Sequence, residues 1–158
     1  MKKKVNRRQF IGAASALTVA AAGAAEQPST EVKPAGAPVC ACTAAPKLIF
    51  PCSGAADVGA IADQAARKLT HDLDGRMFCL AGIGGRVPGI METTKCASKI
   101  VAIDGCQQEC ARKALEAAGF GKLAHVKLYE LGMEKGKTPV TPEAIAKVAD
   151  AVRPILES

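Results

Sequence analysis

The chain has 158 residues, a formal net charge of +6 and only 3% aromatic residues; its Lys and Arg are scattered, which excludes a nucleic-acid footprint. Five of the 21 Lys/Arg lie in the first 25 residues, so the remainder carries 16 Lys/Arg against 15 Asp/Glu and is nearly neutral. The roughly 110 residues after the linker described below suffice for one domain of the commonest size, with a core of Ala, Val, Ile and Leu.

Residues 1–25 read as a signal peptide. Lys2, Lys3, Lys4, Arg7 and Arg8 form a basic start, an Ala/Gly-rich apolar stretch follows, and Ala22-Gly23-Ala24 offers a small-residue cleavage site. The stretch is too short for a membrane span. Arg7-Arg8-Gln9-Phe10-Ile11 matches the twin-arginine export pattern; the alternative is an ordinary secretory signal with two adjacent arginines. The expected location is periplasmic or otherwise exported, in a bacterium or archaeon, with the twin-arginine machinery as a partner. That route carries folded proteins and suits one that loads a metal before export. Residues 26–45 are rich in Pro, Ala, Gly and Thr, read as a linker, and contain Cys40-Ala41-Cys42.

From residue 46 strands alternate with helices. A first strand is predicted at 47–51 and a helix at 57–69, where Val58, Ile61, Ala65 and Leu69 recur at helical spacing. A second strand is predicted at 76–81, then a glycine loop, Gly82-Ile83-Gly84-Gly85, and a helix at 88–97. A third strand at 99–103 leads through Asp104-Gly105-Cys106 into a helix at 107–118, closed by Gly119. A fourth strand is predicted at 124–130. The last helix starts at Thr141-Pro142-Glu143, with Thr as N-cap and Pro in the first turn, and runs to 156. The implied fold is α/β: a single three-layer domain over 46–158, with a mainly parallel four-stranded sheet and helices on both faces. Sites in such folds lie outside the carboxyl ends of the strands.

Seven cysteines in an exported chain suggest disulfides, yet the odd number argues against complete internal pairing. Four of them follow a rule. Cys52 and Cys106 follow apolar strands, Cys79 falls 27 residues after Cys52, Cys106 a further 27 on, and Cys110 four later. A step of ~30 residues is one βαβ unit, so successive units return a thiol to one sheet edge. Placed on one helix start, Cys106 and Cys110 face one point, and the helix dipole favours their thiolates. Four thiolates suit zinc, or an iron–sulfur centre as the alternative cofactor. Cys79 also reads as a small buried hydrophobe within its strand. Asp104 is available to cap the helix, hold the loop or join the metal shell, with capping the ordinary role of such a residue. Gly105 answers a need for a special backbone angle or a close approach. Cys40 and Cys42 are possible accessory ligands, a metal-acceptor pair or a redox pair; Cys96 lies away from the edge as a structural or spare thiol.

The glycine loop lacks the third glycine of a dinucleotide fingerprint, since position 87 is Val87, though it leaves room for an anion held by amides and Arg86. The rival class is an enzyme using Cys52, or the Cys106/Cys110 pair, as nucleophile or thiol-redox centre. Against it, a phosphatase loop needs an arginine where Val58 stands, and His71 and His125 read as surface residues at the wrong edge.

Residues 46–158 resemble the DGC-type zinc-binding proteins. The resemblance rests on Cys52-Ser53-Gly54-Ala55-Ala56-Asp57, on Cys79 with its trailing glycines, and on Asp104-Gly105-Cys106 followed by Cys110-Ala111. It implies four chelating cysteines, matching by position Cys52, Cys79, Cys106 and Cys110. It assigns no reaction and does not include Cys40, Cys42 or the signal.

Overall fold

Two five- to six-residue runs dominate the sheet. Lys47–Pro51 (β1) and Lys99–Asp104 (β3) are buried from their second residue onward, as strands covered on both faces must be. They pair in parallel over five positions, from Lys47 opposite Lys99 to Pro51 opposite Ile103. Arg76–Met77 (β2) adds to the outer side of β1, and Ala124–Lys127 (β4) to the outer side of β3, giving the all-parallel order β2-β1-β3-β4. The computed structural model describes residues 45–158. The stretches read from sequence as signal peptide and linker, with Cys40-Ala41-Cys42, lie outside the described residues except for Ala45.

Alternation along the strands divides the core. Ile49, Val101, Ile103 and Val126 face one side, against Asp57–His71 (α1) and Pro142–Glu157 (α5). Leu48, Phe50, Ile100 and Ala102 face the other, against Leu80–Gly84 (α2), Pro88–Lys95 (α3) and Cys110–Ala117 (α4). The result is the three-layer α/β domain. Phe50 meets Phe78 edge-to-face, with ring centroids 5.9 Å apart. Thr141 caps α5 by accepting the Ala144 amide at 3.2 Å. At the end of α4, Phe120 N–H bonds Leu115 O and Gly119 N–H bonds Glu116 O, with Gly119 at φ +95°. That is a Schellman close, which a side chain at 119 would strain.

Four expected boundaries are corrected. β2 stops at Met77 instead of 81: Phe78 N–H still bonds Ile49 O, but Cys79 turns the chain into α2. The expected glycine loop is that helix. A Cβ on Gly82 would sit 2.8 Å from Ile90 Cγ1, so the glycine lets α2 pack on α3. Arg86 donates to Ala117 O at the end of α4. α4 begins at Cys110, not 107, and β4 ends at Lys127, where a single 3₁₀ turn, Leu128–Leu131, replaces the rest of the expected strand.

Candidate functional site

The order of the strands reverses between β1 and β3: the chain leaves β1 toward β2 and leaves β3 toward β4. The crevice outside the carboxyl ends of such a pair is where α/β sheets place their sites. Cys52 follows β1 directly, and its N–H donates to Ile103 O at 2.7 Å, so the neighbouring strand fixes this cysteine's backbone. Gly105 and Cys106 follow β3. A Cβ on Gly105 would lie 2.8 Å from Val58 O and 2.9 Å from Val58 C. The glycine of Asp-Gly-Cys is therefore required by a close approach of the loop to the first turn of α1, and not by a left-handed backbone.

Burial pushes the Cys52 thiol up to about 11; the Gly105 N–H pointing at its sulfur opposes this, while Asp104, Cys110 and Cys106 add to the rise. Cys52 is thus an uncharged thiol at neutral pH, within electrostatic reach of the other two cysteines. Cys52, Cys79, Cys106 and Cys110 are all free. Cys79 stands apart. It is an exposed N-cap of α2, its sulfur accepting the Gly82 amide at 3.4 Å, and not the mid-strand residue expected. Cys96, after α3, is disulfide-bonded.

Asp104 explains where α4 starts. Its carboxylate is fully buried and accepts Ala111 N–H at 2.8 Å and Arg112 N–H at 3.0 Å. These are two of the orphan amides of the first turn, capped by a residue that lies upstream on the strand. His125 Nε2 sits 3.0 Å from Asp104 Oδ2, with its side chain only 11% exposed. Both carboxylate oxygens are thereby engaged. His125 is correspondingly not a surface residue at the wrong edge: it pairs with Ala102, two residues short of Asp104, because β4 starts level with Val101. His71 is exposed at the end of α1.

With Asp104 capping the helix, residues 106–109 form a separate turn, closed by Glu109 N–H to Cys106 O at 3.1 Å. Cys106 and Cys110 are not on one helical face, as their spacing suggested; Cys106 is in the turn and Cys110 opens α4. Glu109 adopts φ 52°, ψ 48°, a left-handed conformation rare for a residue with a side chain. The Tyr129 hydroxyl donates to its Oε1 at 2.7 Å, and Arg112 Nε to its Oε2 at 2.8 Å. These bonds, Tyr129 first, hold the Glu109 carboxyl at about 2. Arg112 also bonds Glu116. Neither Glu109 nor Tyr129 was expected at the site from sequence; the available signal was an acidic residue directly before the last cysteine.

The turn forms one wall of a crevice of about 670 Å³, in which Gly105, Cys106, Gln107 and Gln108 face Tyr129 and residues 132–135. The opposite wall is held by Asp57. Its carboxylate accepts the amides of Val58 and Gly136 at 2.9 Å and of Thr138 at 3.0 Å. A crevice of similar size at the other edge of the sheet is lined by Thr94, Lys95 and residues 97–100 and 118–124, a lining with no cysteine, histidine or carboxylate.

The donor set is right for a soft metal: free thiols on the loops after β1 and β3. The geometry is not that of a closed site. Among the described residues no three His, Cys, Asp or Glu side chains stand together in a group able to hold a metal ion.

The profile of the DGC domain matches residues 48–152, two-thirds of the chain and all of the edge described above. The chain belongs to the DGC domain family. Within this DGC domain the family's Asp-Gly-Cys signature is the capping carboxylate, the close-approach glycine and the crevice thiol. The anaerobic and virulence modulator AnvM of Pseudomonas aeruginosa is 32% identical over 88 residues, which span 56% of this chain and 67% of that protein. No solved structure matches the chain. Among the described residues of the DGC domain, no helix is long and apolar enough to cross a membrane.

Proposed function

We propose that this DGC domain is an exported metal-binding module that takes up zinc through Cys52, Cys106 and Cys110, with Cys79 as fourth ligand. The observation carrying the reading is the placement of free thiols on the loops after β1 and β3, where the strand order reverses, with Cys106 and Cys110 within electrostatic range of Cys52. Zinc there would supply a structural or cargo charge that holds four thiolates together; the chain's residues supply the thiols. Cys52 is anchored, because its backbone is bonded into the sheet. Cys106 sits in a four-residue turn and Cys79 caps the start of a five-residue helix, both outside the strands. Binding on this view completes the site. The signal-peptide and twin-arginine patterns of residues 1–25 support a location outside the cytoplasm, with the module loaded before export.

Zinc content of protein purified from its exported fraction tests this. One zinc per chain is expected, with loss in each of Cys52→Ser, Cys79→Ser, Cys106→Ser and Cys110→Ser. Metal content unchanged in all four variants would refute the site, and a brown protein with visible absorption would assign an iron–sulfur centre instead.

A second reading is thiol–disulfide exchange, which the free thiols Cys52, Cys106 and Cys110 would carry. The relative's name as an anaerobic modulator is compatible with a thiol-based response to oxygen. Mass mapping of folded, metal-free protein titrated with oxidised glutathione distinguishes the two. Reversible closure of a disulfide within Cys52, Cys106 and Cys110 supports exchange; mixed disulfides alone speak against it.

A further inference from the structure

Glu109 is held in a strained backbone conformation by side chains from two other places in the fold, and it directly precedes Cys110. Strained residues persist where the surroundings over-determine them, and they cluster at functional sites. An N-cap normally accepts the first-turn amides through its own side chain. Here Asp104 performs that task, and Glu109 makes no cap bond. The Glu109 carboxylate is turned to Tyr129 and Arg112 instead. Its main chain meanwhile joins the two cysteines: its N–H bonds Cys106 O, and its C=O accepts the first helical bond, from Lys113.

We infer that Tyr129, Glu109 and Arg112 form a clamp that positions the Cys106–Cys110 turn, setting how the two thiols are presented to Cys52 and to the crevice. Tyr129 is the informative member. It reaches across from the 3₁₀ turn after β4, lines the same crevice as Cys106, and touches the turn through one hydroxyl. Replacing it with Phe removes that bond and keeps the ring. Glu109→Gln keeps the shape and removes the charge. Glu109→Gly removes the side chain while accepting the left-handed backbone. All three are positioning changes; none alters a thiol.

The clamp acts on the turn whether or not the site holds a metal, so the decisive measurement uses metal-free full-length protein. Alkylation by N-ethylmaleimide, followed by peptide mass mapping, gives separate rates for Cys106 and for Cys79, which lies on α2 outside the clamp. The expected result for Tyr129→Phe and Glu109→Gln is a Cys106/Cys79 rate ratio raised about tenfold, the weight of one charge-assisted hydrogen bond on a closed–open equilibrium, with a urea midpoint lowered by no more than the loss of that one bond and an unchanged slope. Glu130→Gln is the control, since it removes the neighbouring Lys127 ion pair and leaves the clamp intact. Its ratio should equal that of the parent protein.

An unchanged ratio in Tyr129→Phe and Glu109→Gln would overturn the inference. So would a parallel rise in Cys79 and Cys106, which would report general loosening. Zinc titration of the same proteins keeps this question apart from the metal reading. If the parent binds zinc, the clamp variants should bind about tenfold more weakly. If the parent binds none, the zinc proposal fails and the alkylation ratio still decides the clamp.

Discussion

Removing the Asp104 side chain should be the most damaging single change at the sheet edge that leaves the cysteines intact. The carboxylate accepts two amides at the start of α4 and faces His125, and it is fully buried. In Asp104→Ala the amide of Ala111, itself a buried residue, is left without an acceptor, for which about 1–3 kcal/mol is the usual penalty. The Arg112 amide is partly buried and can recover a water, so its loss resembles that of an ordinary cap, about 1 kcal/mol. The sum is about 2–4 kcal/mol, a large part of a domain stability of roughly 5–15 kcal/mol. Asp104→Asn keeps one acceptor oxygen and turns its NH₂ toward one of the two amides, so about half the loss is expected. Urea unfolding followed by far-ultraviolet circular dichroism should give the order wild type, Asn, Ala, with a common slope. An Asp104→Ala variant within about 0.5 kcal/mol of wild type, the scatter of ordinary surface substitutions, would refute the assignment of this residue as the cap of α4.

Gly105→Ala places a Cβ 2.8 Å from the Val58 carbonyl oxygen and should destabilise by about 1–3 kcal/mol in the same urea experiment, as overpacking generally does. Three amides, that of Gly136 foremost, hold the Asp57 carboxyl below its ordinary range. A group lowered in the folded state stabilises above its unfolded value and loses that contribution as pH falls through the folded one. Amide exchange of residues 134–138 should therefore quicken as pH drops below about 4, the unfolded Asp value. After correction for intrinsic exchange rates, Asp57→Asn should flatten that dependence.

Much of the framework was readable because strong local signals agreed with the tertiary need. The apolar runs of β1 and β3, the 3.6-residue spacing of α1 and the Thr-Pro start of α5 all stand where periodicity and capping put them. What was missed depended on contacts distant in sequence. Met77-Phe78-Cys79-Leu80 is apolar enough to read as strand, and only the packing of Gly82 on Ile90 shows why the chain becomes helix there. The start of α4 is decided by a carboxylate six residues upstream, so the i, i+4 spacing of Cys106 and Cys110 misled. His125 was placed at the wrong edge because the stagger of β4 against β3, which sets Val101 opposite Ala124, leaves no trace in a single sequence. The thiols themselves were legible as a set; their unequal distribution, with Cys106 and Cys110 in electrostatic range of Cys52 and Cys79 apart as the N-cap of α2, was not.

The first turn of α1 acts as a common abutment. Gly105 rests on the carbonyl of Val58, Gly59 leaves room for the backbone of Gly54, and Asp57 grips residues 136–138. Three loops of the site thus take their position from three consecutive residues. Length is constrained here far more tightly than residue type. One residue inserted within the first turn of α1 would turn Asp57 by about 100° relative to the rest of the helix, the turn per residue, and take its carboxylate away from the amides of Gly136 and Thr138. The turn at 119–122 bears on no part of the site, so variation in chain length belongs there.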